Sequence, residues 1–237
     1  ISNSSSCKEN DSGSGSSSSH SGVFLLNNSG TPSKYAIIDD GDDLDNISFG
    51  SINQSFENVV KAGGKLYGLT SDSKLYIKDN ASYSNMNNWY QVNIPDQAAS
   101  GGPYTPQIKA VVDAGEEALV LATLSNTTII LSSNDNFTSY DNVSQSTQTM
   151  EKIASGDGKT MVCGTSNCFL DNGSGYFANV SRPIGATVGT TTSAQKIVYA
   201  QNHFIAATDS GLQYFSGSSW QKGNGASTES FQNLVYL

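Results

Sequence analysis

Positive charge is scarce in this chain. Lys and Arg number 12 against 21 Asp and Glu, for a formal net charge of -9 over 237 residues. Arg182 is the only arginine. A surface that grips a nucleic-acid backbone needs clustered basic residues, and this composition argues against one. Long apolar runs are missing too. None approaches the ~18–20 residues that cross a bilayer as a helix, so no transmembrane segment is expected. Histidine is confined to His20 and His203. A Ser-His-Asp triad would have to use His203, which sits in an apolar run where packing is the simpler role. Cys-His metal spacing is absent. The GSGS stretch at Gly13–Ser16 neither follows a strand nor opens a helix, so it is no phosphate loop.

What remains is polar but uncharged. Hydrophobic residues make up 36% and charged residues 14%. Residues 1–20 form a low-complexity Ser/Gly segment with nothing to bury, read as a disordered tail. Residues 21–237 change character and are read as one domain. Apolar runs of about four to seven residues, rich in Val, Ile, Leu, Tyr and Phe, alternate with Gly, Asn, Asp and Ser clusters, which is the pattern of many short antiparallel strands.

The runs repeat, starting at Phe56, Gln107, Met150 and Ala194. Each repeat reads as four strands. The first carries Val59-Val60, Val111-Val112, Ile153-Ala154 or Ile197-Val198. A tight turn follows at Gly63-Gly64, Gly115-Glu116, Asp157-Gly158 or Gln201-Asn202. Two further strands come next. An aromatic then opens the fourth: Trp89, Tyr140, Tyr176-Phe177 or Trp220. Length varies only in the loops. Residues 22–50 match strands two to four of a repeat lacking its first strand. The C-terminal SFQNLVYL matches a lone first strand, with Leu234-Val235 in the place of Val59-Val60. That strand can therefore supply the missing inner strand of the N-terminal sheet and close five four-stranded units into a ring.

The repeat resembles the β-propeller superfamily in a five-bladed form. The stretch Gly64–Val92, with its Leu-Tyr strand, Leu-Tyr-Ile-Lys strand and Asn-Trp, is similar to a blade of tachylectin-type lectins. Ser133–Tyr140 resembles the Asp-box of sialidase-like propellers, keeping Ser and Asp, losing the Gly and replacing Trp by Tyr. The resemblance implies an all-β propeller of four-stranded antiparallel blades. One arginine cannot form the arginine cluster of a true sialidase.

Several residues are candidates for function. Asp39, Asp40, Asp42 and Asp43 could hold Ca²⁺, which takes six to eight oxygens, but they lack EF-hand spacing and equally suit a solvated turn. No other cofactor is expected. Glu57, Asp113 and Glu151 lie on first strands, where a glycosidase would place an acid and base about 5–10 Å apart. Their repeat counterparts are mixed polar residues, not an acidic constellation. Trp89 and Trp220 either seal each blade or, with Tyr83, stack on sugar rings. Cys163 and Cys168 flank Gly-Thr-Ser-Asn, a turn between apolar runs, so they form a hairpin disulfide or remain two buried thiols.

Together these features predict a non-catalytic interaction module outside the cytoplasm: secreted, periplasmic or at the cell surface. It could belong to a surface or cell-envelope assembly. Its partner is a protein or a glycan. A lectin-like propeller is the first alternative and a glycoside hydrolase the second.

Overall fold

The computed structural model describes residues 6–9, 20–26, 32–38, 50–79, 86–94, 97–99, 102–104, 106–124, 127–133, 137, 141–146 and 149–223. Every regular element among them is a strand. The chain parts into two compact units, residues 1–92 with residue 237, and residues 93–236. The sequence reading had one domain over 21–237. Sheets that pack only on their neighbours share no single central core, so such an array can divide between repeats.

The first unit holds two antiparallel sheets. One runs β1 (Ser6–Glu9), β2 (His20–Leu25), β3 (Lys34–Ile38) and β4 (Gly50–Ser51). The other runs β5 (Asn58–Ala62), β6 (Lys65–Leu69), β7 (Leu75–Lys78) and β8 (Tyr90–Val92). Phe24, Leu26, Ile52, Phe56, Val59, Leu66 and Met86 form the core between them. The Ser33 hydroxyl adds a polar pin, accepting the Phe56 N–H at 2.8 Å.

Two expectations change here. Ser6–Glu9 lies inside the segment read as a disordered tail, yet it pairs with β2 from Ser6 opposite Val23 to Glu9 opposite His20. A strand edge offers main-chain N–H and C=O groups that any sequence can meet, so polar composition does not forbid pairing. β1 thereby occupies the side of β2 that the sequence reading gave to the C-terminal strand. Residues 231–237 lie outside the described residues, as do Tyr83 and Asp39, Asp40, Asp42 and Asp43.

The second unit opens with a short hairpin, β9 (Gln97–Ala99) and β10 (Gly102–Tyr104), that the repeat pattern did not foresee. Three four-stranded sheets follow. The third sheet is β11 (Gln107–Asp113), β12 (Ala118–Leu124), β13 (Thr127–Ser133) and β14 (Asp141–Ser146). The fourth is β15 (Met150–Gly156), β16 (Lys159–Gly164), β17 (Cys168–Asp171) and β18 (Ala178–Val180). The fifth is β19 (Ala194–Ala200), β20 (His203–Thr208), β21 (Gly211–Phe215) and β22 (Trp220–Lys222). Each first strand lies beside the next one, β11 by β15 and β15 by β19.

Strand alternation decides what lies between these sheets. In the fourth sheet Ile153, Val162 and Phe169 face Leu119, Leu121 and Ile130 of the third. Ala154, Met161, Cys163, Cys168 and Leu170 point the other way, onto Ile197, Phe204, Ala206, Phe215 and Trp220 of the fifth. A central sheet is thus apolar on both faces, and each fully buried aliphatic side chain contributes about 1.5–3 kcal/mol.

Cys163 and Cys168 are direct partners across β16 and β17 and form the expected disulfide. It lies within the core between the fourth and fifth sheets. Closing so short a loop is worth about 2 kcal/mol. Reduction is therefore expected to lower Tm by roughly 4–8 °C. A melt that does not move after full reduction, with free thiols counted, would refute this.

Candidate functional site

The site begins at a turn. Gln201 and Asn202 join β19 to β20 with φ of 47° and 63°. Two consecutive positive φ values give the hairpin turn whose twist matches its strands. Asp157 and Gly158 do the same between β15 and β16, with φ of 50° and 66°. The Gln201 carbonyl accepts a hydrogen bond from Nδ1 of His203 at 2.8 Å. A carbonyl only accepts, so Nδ1 is the donor in this bond. The imidazole stands edge-on to Tyr214, with centroids 5.6 Å apart and planes at 87°.

β20 and β21 carry this pair into an open groove of about 670 Å³, lined by His203, Ile205, Leu212 and Tyr214, with Gly223 at its border. The register explains which face this is. Phe204 opposes Phe215 on the side buried against the fourth sheet, while Ile205 opposes Tyr214 and Ala207 opposes Leu212 on the other side. In the fourth sheet the same repeat positions are held by Met161 opposite Leu170 and Cys163 opposite Cys168. Those four are 0–7% exposed, whereas Leu212 and Tyr214 are each 36% exposed. The fifth sheet presents an inter-sheet face that nothing among the described residues of its unit covers.

The groove can bind but has little to catalyse with. No Asp or Glu lines it, so it lacks the carboxylate pair of a glycoside hydrolase. Elsewhere in this unit Asp113 sits at the end of β11 and Glu151 at the start of β15, so the two do not converge. The Asp113 carboxylate accepts the Gly115 N–H at 2.8 Å, and burial pushes its pKa above the ordinary range. Among the described residues no group of three His, Cys, Asp or Glu is placed to hold a metal ion. Glu57, in the first unit, uses its own N–H to close the sheet onto the Leu69 carbonyl at 2.8 Å.

The two tryptophan candidates are structural. Trp220 is 1% exposed, stands edge-on to Phe215 at 5.5 Å and donates its indole N–H to the Ser181 carbonyl at 2.8 Å. It has no free face for a sugar, so its assignment as a stacking platform is corrected. Trp89 is half-buried against Phe56, with centroids 4.6 Å apart, and donates to the Met86 carbonyl at 2.6 Å. It too belongs to a core. Tyr176 is the contrary case, 73% exposed, while its neighbour Phe177 packs on the core. The turn before it is built on Asp171, whose carboxylate accepts N–H bonds from Gly173, Ser174 and Gly175 at 2.9–3.2 Å.

The groove was missed in the sequence, though a signal for it exists. β21 is Gly-Leu-Gln-Tyr-Phe, apolar at both parities, as a strand covered on both sides should be.

No protein-family model and no curated sequence matches the chain. Solved structures do. A nidogen/laminin complex aligns with TM-score 0.55 at 9% identity, over 82% of this chain and 71% of that one. BBS1N in complex with ARL6DN aligns with TM-score 0.53 at 14% identity, over 93% and 66%. YCF48 bound to D1 peptide aligns with TM-score 0.50 at 11% identity, over 85% and 62%. The chain thus spans less than two thirds of the length of the latter two. Identities this low speak for fold alone, and the fold they share with this chain is of the β-propeller type.

Proposed function

We propose that the chain is a non-catalytic, protein-binding propeller module that docks its partner on the open face of the fifth sheet. The observation that carries this reading is the contrast between Leu212 and Tyr214, half-exposed, and their buried equivalents Cys168 and Leu170. An aromatic and aliphatic strip with one histidine and a polar border has the make-up of an interface core. In this reading the five four-stranded sheets are five blades, and β1 completes the first. The disulfide supports a place outside the cytoplasm, where such bonds persist, as part of a surface or cell-envelope assembly. The partners named with the three structural neighbours are proteins or peptides, which accords with the reading. The burial of Trp220 removes one of the stacking residues of the lectin alternative.

The test is crosslinking and affinity capture from the source compartment with the wild-type chain and Tyr214→Ser. Loss of an aromatic anchor costs about 2 kcal/mol or more, so recovery of the specific partner is expected to fall at least about 30-fold with an unchanged melt. Equal recovery by the variant would sink the assignment. Capture on immobilised glycans without any protein partner would restore the lectin reading.

A further inference from the structure

Charge in the second unit is sorted by strand register. First strands run from a head, where the preceding sheet hands over the chain, to the turn that leads into the second strand. At the turn end, among residues whose side chains are described, stand Asp113, Glu116, Glu117, Asp157 and Asp171, with Lys159 as the only cation. The head end is the reverse. Lys109, Lys152, Arg182, Lys196 and Lys222 lie in that half, against Glu151 and Asp209. An acidic chain has gathered its positive charge at one end of three sheets.

A shared backbone device sets the head end. The register of each first strand breaks at its second or third residue, between Ile108 and Ala110, Met150 and Lys152, and Ala194 and Lys196. A bulge at the same place in three repeats re-aims the following side chain. In the fourth and fifth sheets that side chain is a lysine. β15 and β19 approach within 8 Å, Cα to Cα. Lys152 and Lys196 are both half-buried, and no carboxylate among the described residues bonds to either. Burial, and then the charge of Lys152, lower the Lys196 pKa.

Arg182 lies on the β18–β19 connection. Its Nη2 reaches the Ser193 hydroxyl at 3.4 Å, just before β19, and that hydroxyl donates to the Thr165 carbonyl, just after β16. Its Nε is buried and has no partner. A buried donor left unsatisfied costs about 1–3 kcal/mol, so its persistence calls for an explanation. Lys152 and Lys196 thus act on one another where the fourth and fifth sheets begin, and Arg182 lies on the connection that enters the fifth.

We propose that Lys152, Lys196 and Arg182 form a docking site for a short acidic peptide segment of a protein partner. An extended peptide places side chains i and i+2 about 7 Å apart on one face, so two of its carboxylates can address cations on neighbouring first strands. Glu151 and Asp209 flank the site, and the whole chain is acidic. A long phosphate backbone would meet those carboxylates, whereas a segment of two or three carboxylates need not. The site uses none of the groove residues His203, Ile205, Leu212 or Tyr214, so either assignment can fail alone.

The test uses the full chain and fluorescence anisotropy. The probe is a fluorescein-labelled hexapeptide of alternating Glu and Asp, with alternating Gln and Asn as control. The acidic peptide is expected to bind, more weakly as salt rises past about 0.15 M, and the control is not. The double variant Lys152→Gln/Lys196→Gln should weaken binding about 10-fold or more, while Lys159→Gln at the turn end and Tyr214→Ser in the groove should not. Circular dichroism and melts verify that each variant is folded. Should the double variant not fold, Arg182→Gln and Lys152→Gln singly must each weaken binding. No binding of the acidic peptide, undiminished binding by the folded variants, or tighter binding of polyphosphate or an oligonucleotide than of the peptide would each overturn the proposal.

Discussion

Trp220→Ala is expected to destabilise the protein by about 3–5 kcal/mol, the largest loss of any single truncation considered. The indole is fully enclosed between the fourth and fifth sheets, among Phe215, Phe204, Cys168 and Leu170. Its removal leaves a cavity that strands on both sides cannot close without breaking their ladders. It also orphans the Ser181 carbonyl, which now accepts the indole N–H. Trp220→Phe keeps most of the volume but not the donor, and should cost less. Chemical denaturation of the three proteins checks the order. A sugar-stacking tryptophan would behave otherwise: Trp220→Ala would abolish glycan capture and barely move the midpoint. That result would reverse the structural assignment.

Gly156→Ala is expected to cost about 1–3 kcal/mol although it adds a single methyl group. Gly156 ends β15, and a Cβ there would enter the space of Cδ1 and Cγ of Tyr199 on the neighbouring first strand. The Tyr199 ring cannot simply swing away. It packs edge-on to Phe204 at 4.9 Å, and its hydroxyl donates to the Asp157 carboxylate at 2.9 Å across the two sheets. A double-mutant cycle isolates the cause. In a Tyr199→Ala background, Gly156→Ala should cost only a few tenths of a kcal/mol. An equal cost in both backgrounds would show that the ring is not the reason. The repeat anticipates this site. Positions preceding the first turn are Ala62, Ala114, Gly156 and Ala200, all small.

Much of the fold could be read in advance because its parts are local. Short apolar runs at β6, β12, β16 and β20 marked the second strands, and turn residues such as Gly63-Gly64 and Gln201-Asn202 marked the hairpins. The adjacency of Cys163 and Cys168 was likewise a matter of hairpin register. The errors share a physical origin. β1 was missed because edge pairing uses main-chain groups and leaves no mark in side-chain pattern. The two readings of the tryptophans stayed open because composition cannot tell whether an aromatic opening a strand turns inward. Trp220 turns inward because its register partner Phe215 lies on the face packed against the fourth sheet.

By itself the sequence determined the strand-rich class, the four-strand repeat, the placing of Cys163 and Cys168 on one hairpin and a net acidic chain, since each depends on residues near one another or on a simple sum. Only the tertiary structure decided which repeat face is left open, where the few cations gather and which aromatics are consumed by packing. Those are relations between sheets, and they arise when three side-chain layers are stacked in a particular register. The groove at Leu212 and Tyr214 exists because the fifth sheet repeats a face built to be covered. At the head end, Lys152 and Lys196 each follow a bulge at the same position of neighbouring first strands.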